Sequence, residues 1–208
     1  MKEIISLAKS FMENDSFGDK TKEVFSFVDR GSNLILSAPH STKSYREKEV
    51  KQADAYTGAI CLFLGKKHNL STVVRNNIGS FEDDIFQFVL DNKLENKFFL
   101  DIHGIARNRD FEIAIGTGGI DACAYRDVVD KINDLSAKLN LTTVLNHPDY
   151  RGVKGLTYKL QQQTSKASAL QIELRKDLRD FYNTSEIFQN KTLVFMDELI
   201  ECLIDKWT

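Results

Sequence analysis

Three apolar runs in this sequence carry or end in groups that can bind a metal or move a proton: His40 after LILSAP, His103 after FFLDI, and Glu173 within ALQIEL. An imidazole at the end of a buried strand needs a partner, and neutral imidazole is the commonest ligand of zinc. Two such histidines and one carboxylate make a catalytic Zn²⁺ site with a position left for water. The plainer reading of a strand-end histidine is a hydrogen bond to backbone, which satisfies most buried polar groups.

The carboxylate should come from the segment after His40, where Glu47, Glu49 and Asp54 are available. Asp54 is the best placed, because it begins the helix that carries Thr57 and Gly58 and an acid in a first turn is held in fixed geometry. An acid there also simply favours the helix N-terminus, so Glu47 and Glu49 stay open as alternatives. In Asp101-x-His103 strand alternation puts both side chains on one face, which lets Asp101 accept the imidazole N–H. Glu173 sits between Ile172 and Leu174. Ionised burial is expensive, so its pKa should rise and a general-base role follows; the structural alternative is an ion pair with Arg175. Arg107 and Arg109 follow the histidine strand and Arg151 lies in a later loop, where guanidinium forks would suit a substrate carboxylate. His68 and His147 read as surface or turn residues. GTGG at 116–119 lacks the lysine of a phosphate-binding loop, no G-x-S-x-G elbow occurs, and no cysteine has a histidine beside it.

The elements that must position these groups follow from apolar spacing. Helical periods predict an opening helix that ends near Asn14, a helix over 52–67 after a loop at 41–51, and further helices over 81–93, 121–139 and 185–206. Strands are expected at 25–30, 33–40, 71–76, 97–104, 111–119, 142–146 and 168–176. Gly31-Ser32 has the spacing of a tight hairpin between the first two strands, and 97–117 reads as a second hairpin-like pair. Residues 147–168, with a QQQTSKAS stretch, read as an unusually long loop. The alternation predicts an α/β fold of three layers, a mixed and mostly parallel sheet between helices, with ligands at the carboxyl ends of its strands.

The motifs SAPHS at 37–41, LDIHG at 100–104, NHPDYRG at 146–152 and ALQIELRKDLRDFY at 169–182 come in an order that resembles the N-formylglutamate amidohydrolase (deformylase) family, relatives of the zinc carboxypeptidase-like hydrolases. The resemblance spans residues 33–182. It implies a zinc-dependent amidase with a mixed sheet between helices and one Zn²⁺ per chain, acting on substrates with acidic amino-acid parts. Carried over, the metal ligands fall on His40, His103 and Asp54, and the general base on Glu173. An arginine, Arg109 or Arg151, would then hold the substrate carboxylate and stabilise developing charge, with Arg107, Arg151 and Asn146 as substrate-binding candidates. His40 is followed here by STKSYREKEVKQAD and not by the family's proline-containing segment. The expected activity is hydrolysis of an amide bond in an N-acyl amino acid or glutamyl-type substrate. An esterase of the same fold, or an inactive protein that only binds a small acidic molecule, are the competing readings.

Composition narrows the classes further. The 208 residues carry 28 Lys plus Arg against 30 Asp plus Glu, a net charge of −2, without the basic footprint of a nucleic-acid binder. Two prolines and 11 glycines favour one catalytic domain over a linker-rich chain. No apolar run reaches the ~20 residues of a membrane span, and the N-terminal stretch lacks a cleavage site. Cys61, Cys123 and Cys202 are odd in number and scattered, which suits a reducing, cytoplasmic setting. Oligomeric state is not encoded in these features.

Overall fold

Runs that stay apolar at consecutive positions have two faces to bury and must take the middle of a sheet. In the computed structural model, which describes residues 1–46, 49–164 and 168–207, the chain order is α1 (Lys2–Ser16), β1 (Phe25–Val28), β2 (Leu34–Ala38), β3 (Ser44–Arg46), β4 (Glu49–Lys51), α2 (Thr57–Lys67), β5 (Ser71–Arg75) and α3 (Ile85–Asp91). There follow β6 (Phe98–Ile105), β7 (Ile113–Gly116), α4 (Arg126–Leu139), β8 (Thr143–Leu145), α5 (Leu156–Thr164), β9 (Ala169–Arg175), α6 (Lys176–Arg179) and α7 (Glu186–Trp207). The main sheet has the order β1-β5-β2-β6-β9-β7-β8. Its β1·β5 and β7·β9 pairs are antiparallel and the others parallel.

Side chains of α1, α2, α4 and α7 cover one face, with Leu36, Leu100, Leu170 and Ile172 of the sheet beneath them. The other face is covered by α3 and α5, over Ile35, Val73, Phe99 and Ala169. This is the expected three-layer, mostly parallel arrangement. No described helix is long and apolar enough to cross a membrane.

Strand neighbours differ from the sequence reading in two places. β1 and β2 do not form a hairpin, because β5 lies between them. LILSA is buried at every position, so it requires a neighbour on each side and takes β5 and β6. The Gly31-Ser32 turn instead docks on the start of β5, with Ser32 Oγ accepting from Ser71 N at 2.8 Å. In the same way β9, buried on both faces, separates β6 from β7. Two segments read as loops hold structure: 41–51 contains the antiparallel β3–β4 pair, and 147–168 contains α5. Polar residues disguise that helix, yet Leu156, Thr157, Leu160 and Gln161 form its buried face. Gln161 belongs in the core because its amide donates to Thr117 O and Ala169 O and accepts from Gly119 N. The opening helix breaks at Glu13, Asn14 and Asp15, as expected. His68 is a turn residue at the end of α2, as expected, and its Nε2 lies 2.8 Å from Asp197 of α7.

Candidate active site

On the face under α3 and α5, the central strands change character toward their carboxyl ends. There β2 reads Ile35 then Ser37, β6 reads Phe99, Asp101, His103, and β9 reads Ala169, Gln171, Glu173. Strand register sets Ser37 beside Asp101 and His103 beside Glu173. Neighbours in register share a face of the sheet, so the polar groups converge. On the far side of Glu173, β7 offers only Ala114 and Gly116. A Cβ at Gly116 would stand 2.5 Å from Tyr150 O, so this glycine admits the loop that carries Tyr150 and Arg151.

His103 is 6 % exposed. Its Nε2 lies 2.9 Å from Asp101 Oδ2, and Nδ1 faces Asp54 Oδ2 at 3.6 Å. Asp101, wholly buried, also accepts from Ser37 Oγ at 2.7 Å and Thr157 Oγ1 at 3.4 Å. A carboxylate on one imidazole nitrogen fixes which nitrogen points outward. The His40 ring centroid is 5.2 Å from that of His103, with Nδ1 3.2 Å from Ser44 Oγ. Backbone bonds join these pieces: Asp54 N donates to His40 O at 2.7 Å, and Thr57 Oγ1 donates to Asp54 O. Glu173 Oε1 accepts from Gln171 Nε2 at 2.8 Å. Arg175 pairs with Asp177 and Glu112, so Glu173 is not its partner.

Charge in this cluster is strongly biased. Burial and the Lys51 ammonium hold His40 well below the usual histidine range, hence neutral. Burial opposes the His103 imidazolium, but Asp101 and Asp54 outweigh it and push the group up to about 10. Burial likewise opposes the Asp54 carboxylate, and His103, Lys51 and His40 outweigh it, holding that carboxyl below its usual range. Burial raises Glu173, as a general base requires.

Asp54 Oδ2 is buried and has no hydrogen-bond partner among the described residues. Its 3.6 Å neighbours, His103 Nδ1 and Lys51 Nζ, lie beyond hydrogen-bonding distance. Two ligands on one tetrahedral zinc, with bonds of ~2.0–2.1 Å, stand ~3.3–3.4 Å apart, close to the His103–Asp54 separation. A buried carboxylate oxygen without a partner beside an oriented imidazole therefore fits a metal, and His40, its ring centroid 5.2 Å from that of His103, would offer a neutral nitrogen. Among the described residues, no three His, Cys, Asp or Glu groups are already closed around a point that could hold one. Glu47 lies outside the described residues, and Glu49 is exposed on β4.

The arginine candidates sit on the outer side. Arg109 is half-exposed, 3.6 Å from Asp149 and 5.3 Å from the Tyr150 ring centroid. Arg107 and Arg151 are exposed. Asn146 bonds Thr117, accepting from its N at 2.9 Å and donating to its Oγ1 at 3.0 Å. Sequence reasoning missed the inner cations. Arg75 donates to Pro39 O, next to His40, at 3.1 Å. Arg179 donates to Leu174 O at 3.1 Å, to Ile105 O at 3.5 Å and to Ala55 O, one or two residues from Glu173, His103 and Asp54. Lys51 completes the set. Only the lysine's place between two acids, Glu49 and Asp54, hinted at such a role in the sequence.

No family model matches this chain, and no curated protein matches its sequence. Its fold is similar to that of the N-formylglutamate amidohydrolase from Ralstonia eutropha JMP134, with a TM-score of 0.59 and 12% identity over 89% of this chain and 99% of that one. It is also similar to a bacteriophage poly-gamma-glutamate hydrolase, with a TM-score of 0.57 and 9% identity over 89% and 92% of the two chains. A third similar structure is zinc-free YndL, with a TM-score of 0.54 and 16% identity over 93% and 97%.

Proposed function

We propose that this chain is a zinc-dependent amidohydrolase that cleaves an amide bond in a small N-acyl amino acid or glutamyl-type substrate bearing a carboxylate, in the cytoplasm. The observation that carries the reading is the buried, partnerless Oδ2 of Asp54, 3.6 Å from a His103 nitrogen whose ring is oriented by Asp101. The shared fold of two proteins named for amide hydrolysis supports it.

His40, His103 and Asp54 would hold the metal. Bound zinc supplies Lewis-acid chemistry, lowering the pKa of a water and polarising a carbonyl. The remaining work falls to the protein. Asp101 keeps the His103 ring turned so that Nδ1 faces the site. Gln171 occupies one oxygen of Glu173 and leaves the other to take the proton of an attacking water and return it to the leaving nitrogen. Arg109, with Arg107, Arg151 and Asn146 on the same outer loops, receives the substrate carboxylate.

The test is metal content and turnover together. Wild type and the folded variants His40→Ala, Asp54→Ala and His103→Ala would be compared for zinc, then for release of formate or acetate from N-formyl- and N-acetylglutamate. About one zinc per wild-type chain, lost in the variants along with acid release, is the expected result. No zinc uptake by the wild type, or zinc that survives in all three variants, would overturn the reading.

A further inference from the structure

The site holds an amine that this chemistry leaves without a task. Lys51 is paired across the β3–β4 hairpin with Ser44, so the two side chains share one face. Ser44 reaches His40 and Lys51 Nζ stands 3.6 Å from Asp54 Oδ2. The alternate pair, Tyr45 and Val50, lies on the opposite face, where the Tyr45 ring meets that of Phe81 edge-on. Among the described residues, the β3–β4 pair thus turns a polar face, Ser44 and Lys51, toward the site. The Lys51 side chain is only 26% exposed, and His40, Asp54 and Glu173 all sense its charge. Arg46, next on the same inner face, is exposed.

At 3.6 Å the ammonium attracts Asp54 without committing its N–H groups to it. The other cations near the site are committed elsewhere. Arg75 donates to the carbonyls of Pro39, Ile78 and Asp83, Arg179 to those of Leu174 and Ala55, and Arg109 lies outside by Asp149. When an amide is attacked, negative charge develops on its carbonyl oxygen, and a donor already in place there stabilises it most effectively.

We propose that Lys51 is a further catalytic residue, whose ammonium, held on β4 beside Asp54, hydrogen-bonds the substrate carbonyl oxygen as it becomes an anion. This rests on the hydrolase reading above. The water oxygen bonds the carbonyl carbon, its proton passes to Glu173, and the C=O π pair moves onto the oxygen facing Nζ. Return of that pair breaks the C–N bond, and the proton on Glu173 goes to the departing nitrogen. Lys51 gives up no proton in this balance, although burial lowers its pKa below the ordinary lysine value.

A lysine that merely steadied Asp54 would behave differently, and zinc affinity separates the roles. Losing a steadying contact weakens metal binding, whereas losing a cation beside a dication does not. Zinc would be titrated into metal-free wild type, Lys51→Met and Lys51→Arg; methylphosphonate, a tetrahedral anion, would then be titrated into each zinc-loaded protein. The expected result is undiminished zinc affinity in Lys51→Met, with phosphonate affinity down at least about tenfold and largely kept in Lys51→Arg. Weaker zinc binding in Lys51→Met, equal phosphonate affinity in wild type and Lys51→Met, or a zinc-loaded wild type indifferent to the anion would each overturn the proposal. A wild type that takes up no zinc would instead overturn the hydrolase reading, and the proposal with it.

Discussion

Gly104 lies flush against the guanidinium of Arg179, where a Cβ would stand 2.3 Å from Nε and 2.4 Å from Cζ. The strand that delivers His103 and the short helix behind the site can meet because this position has no side chain. Arg179 then ties the ends of β6 and β9 to the segment that carries Asp54.

Replacing Gly104 by Ala should therefore cost about 1–3 kcal/mol, the usual toll of overpacking, because the guanidinium it meets is held by the carbonyls of Leu174 and Ala55. Urea unfolding should show a lower midpoint with an unchanged slope. Zinc affinity should fall with it, since the displaced guanidinium releases Ala55 and its neighbour Asp54. A variant as stable as wild type would show that β6 and α6 slide apart freely.

If His103 is a zinc ligand as proposed, proton and metal compete for it. Its folded-state pKa of about 10 lies above the ordinary 6.5, so in zinc-free protein its stabilising contribution is complete below pH 6.5 and is lost as pH rises toward 10. Zinc must displace that proton, so log affinity should climb by about one per pH unit across the same window. Titration calorimetry in two buffers of different ionisation heat would measure the proton released. Zinc binding that released none would contradict the assignment of His103 as a ligand.

Glu173→Gln keeps the shape and the bond with Gln171 but removes the base. Zinc content should stay at the wild-type value while kcat drops by about 10²–10⁴-fold. Steady-state kinetics beside elemental analysis would decide, and near-normal turnover would assign the proton transfer to another group.

Far from the site, Glu198 of α7 lies 2.9 Å from Lys131 and 2.6 Å from Lys138 of α4. These hydrogen bonds hold its carboxyl down to about 2, below the ordinary 4.5. A depressed carboxyl stabilises the fold above pH 4.5, and that contribution disappears as pH falls toward 2. Glu198→Gln should thus be less stable than wild type at pH 7 and approach it near pH 2, with a shallower loss on acidification. Thermal melts across this range would reveal the convergence, and parallel curves would exclude it.

What could be read from the chain in advance was the alternation inside single strands. In FFLDIHG the switch from apolar to polar on every second residue already put Asp101 with His103 on a common face, and in ALQIEL a lone acid among apolar residues already singled out Glu173. Which strand lies beside which was not visible, because β5 reaches its place between β1 and β2 through contacts distant in sequence. The helix Leu156–Thr164 was hidden because Gln161 buries an amide that the core satisfies, which no apolar period signals. Lys51, Arg75 and Arg179 escaped notice for a related reason: a cation's task depends on which carbonyls and acids surround it after folding.

The sequence contains one tryptophan, and it ends α7 stacked on Phe98 with ring centroids 3.9 Å apart. Phe98 opens β6 and His103 lies five residues further on, a separation of ~16 Å along a strand. Intrinsic fluorescence is therefore an optical reporter of whether the last helix is docked on the central strand, seated well away from the chemistry at the strand's other end. Emission shifts on unfolding will track the fold as a whole, and the same signal, unchanged, will identify site variants whose defects are local.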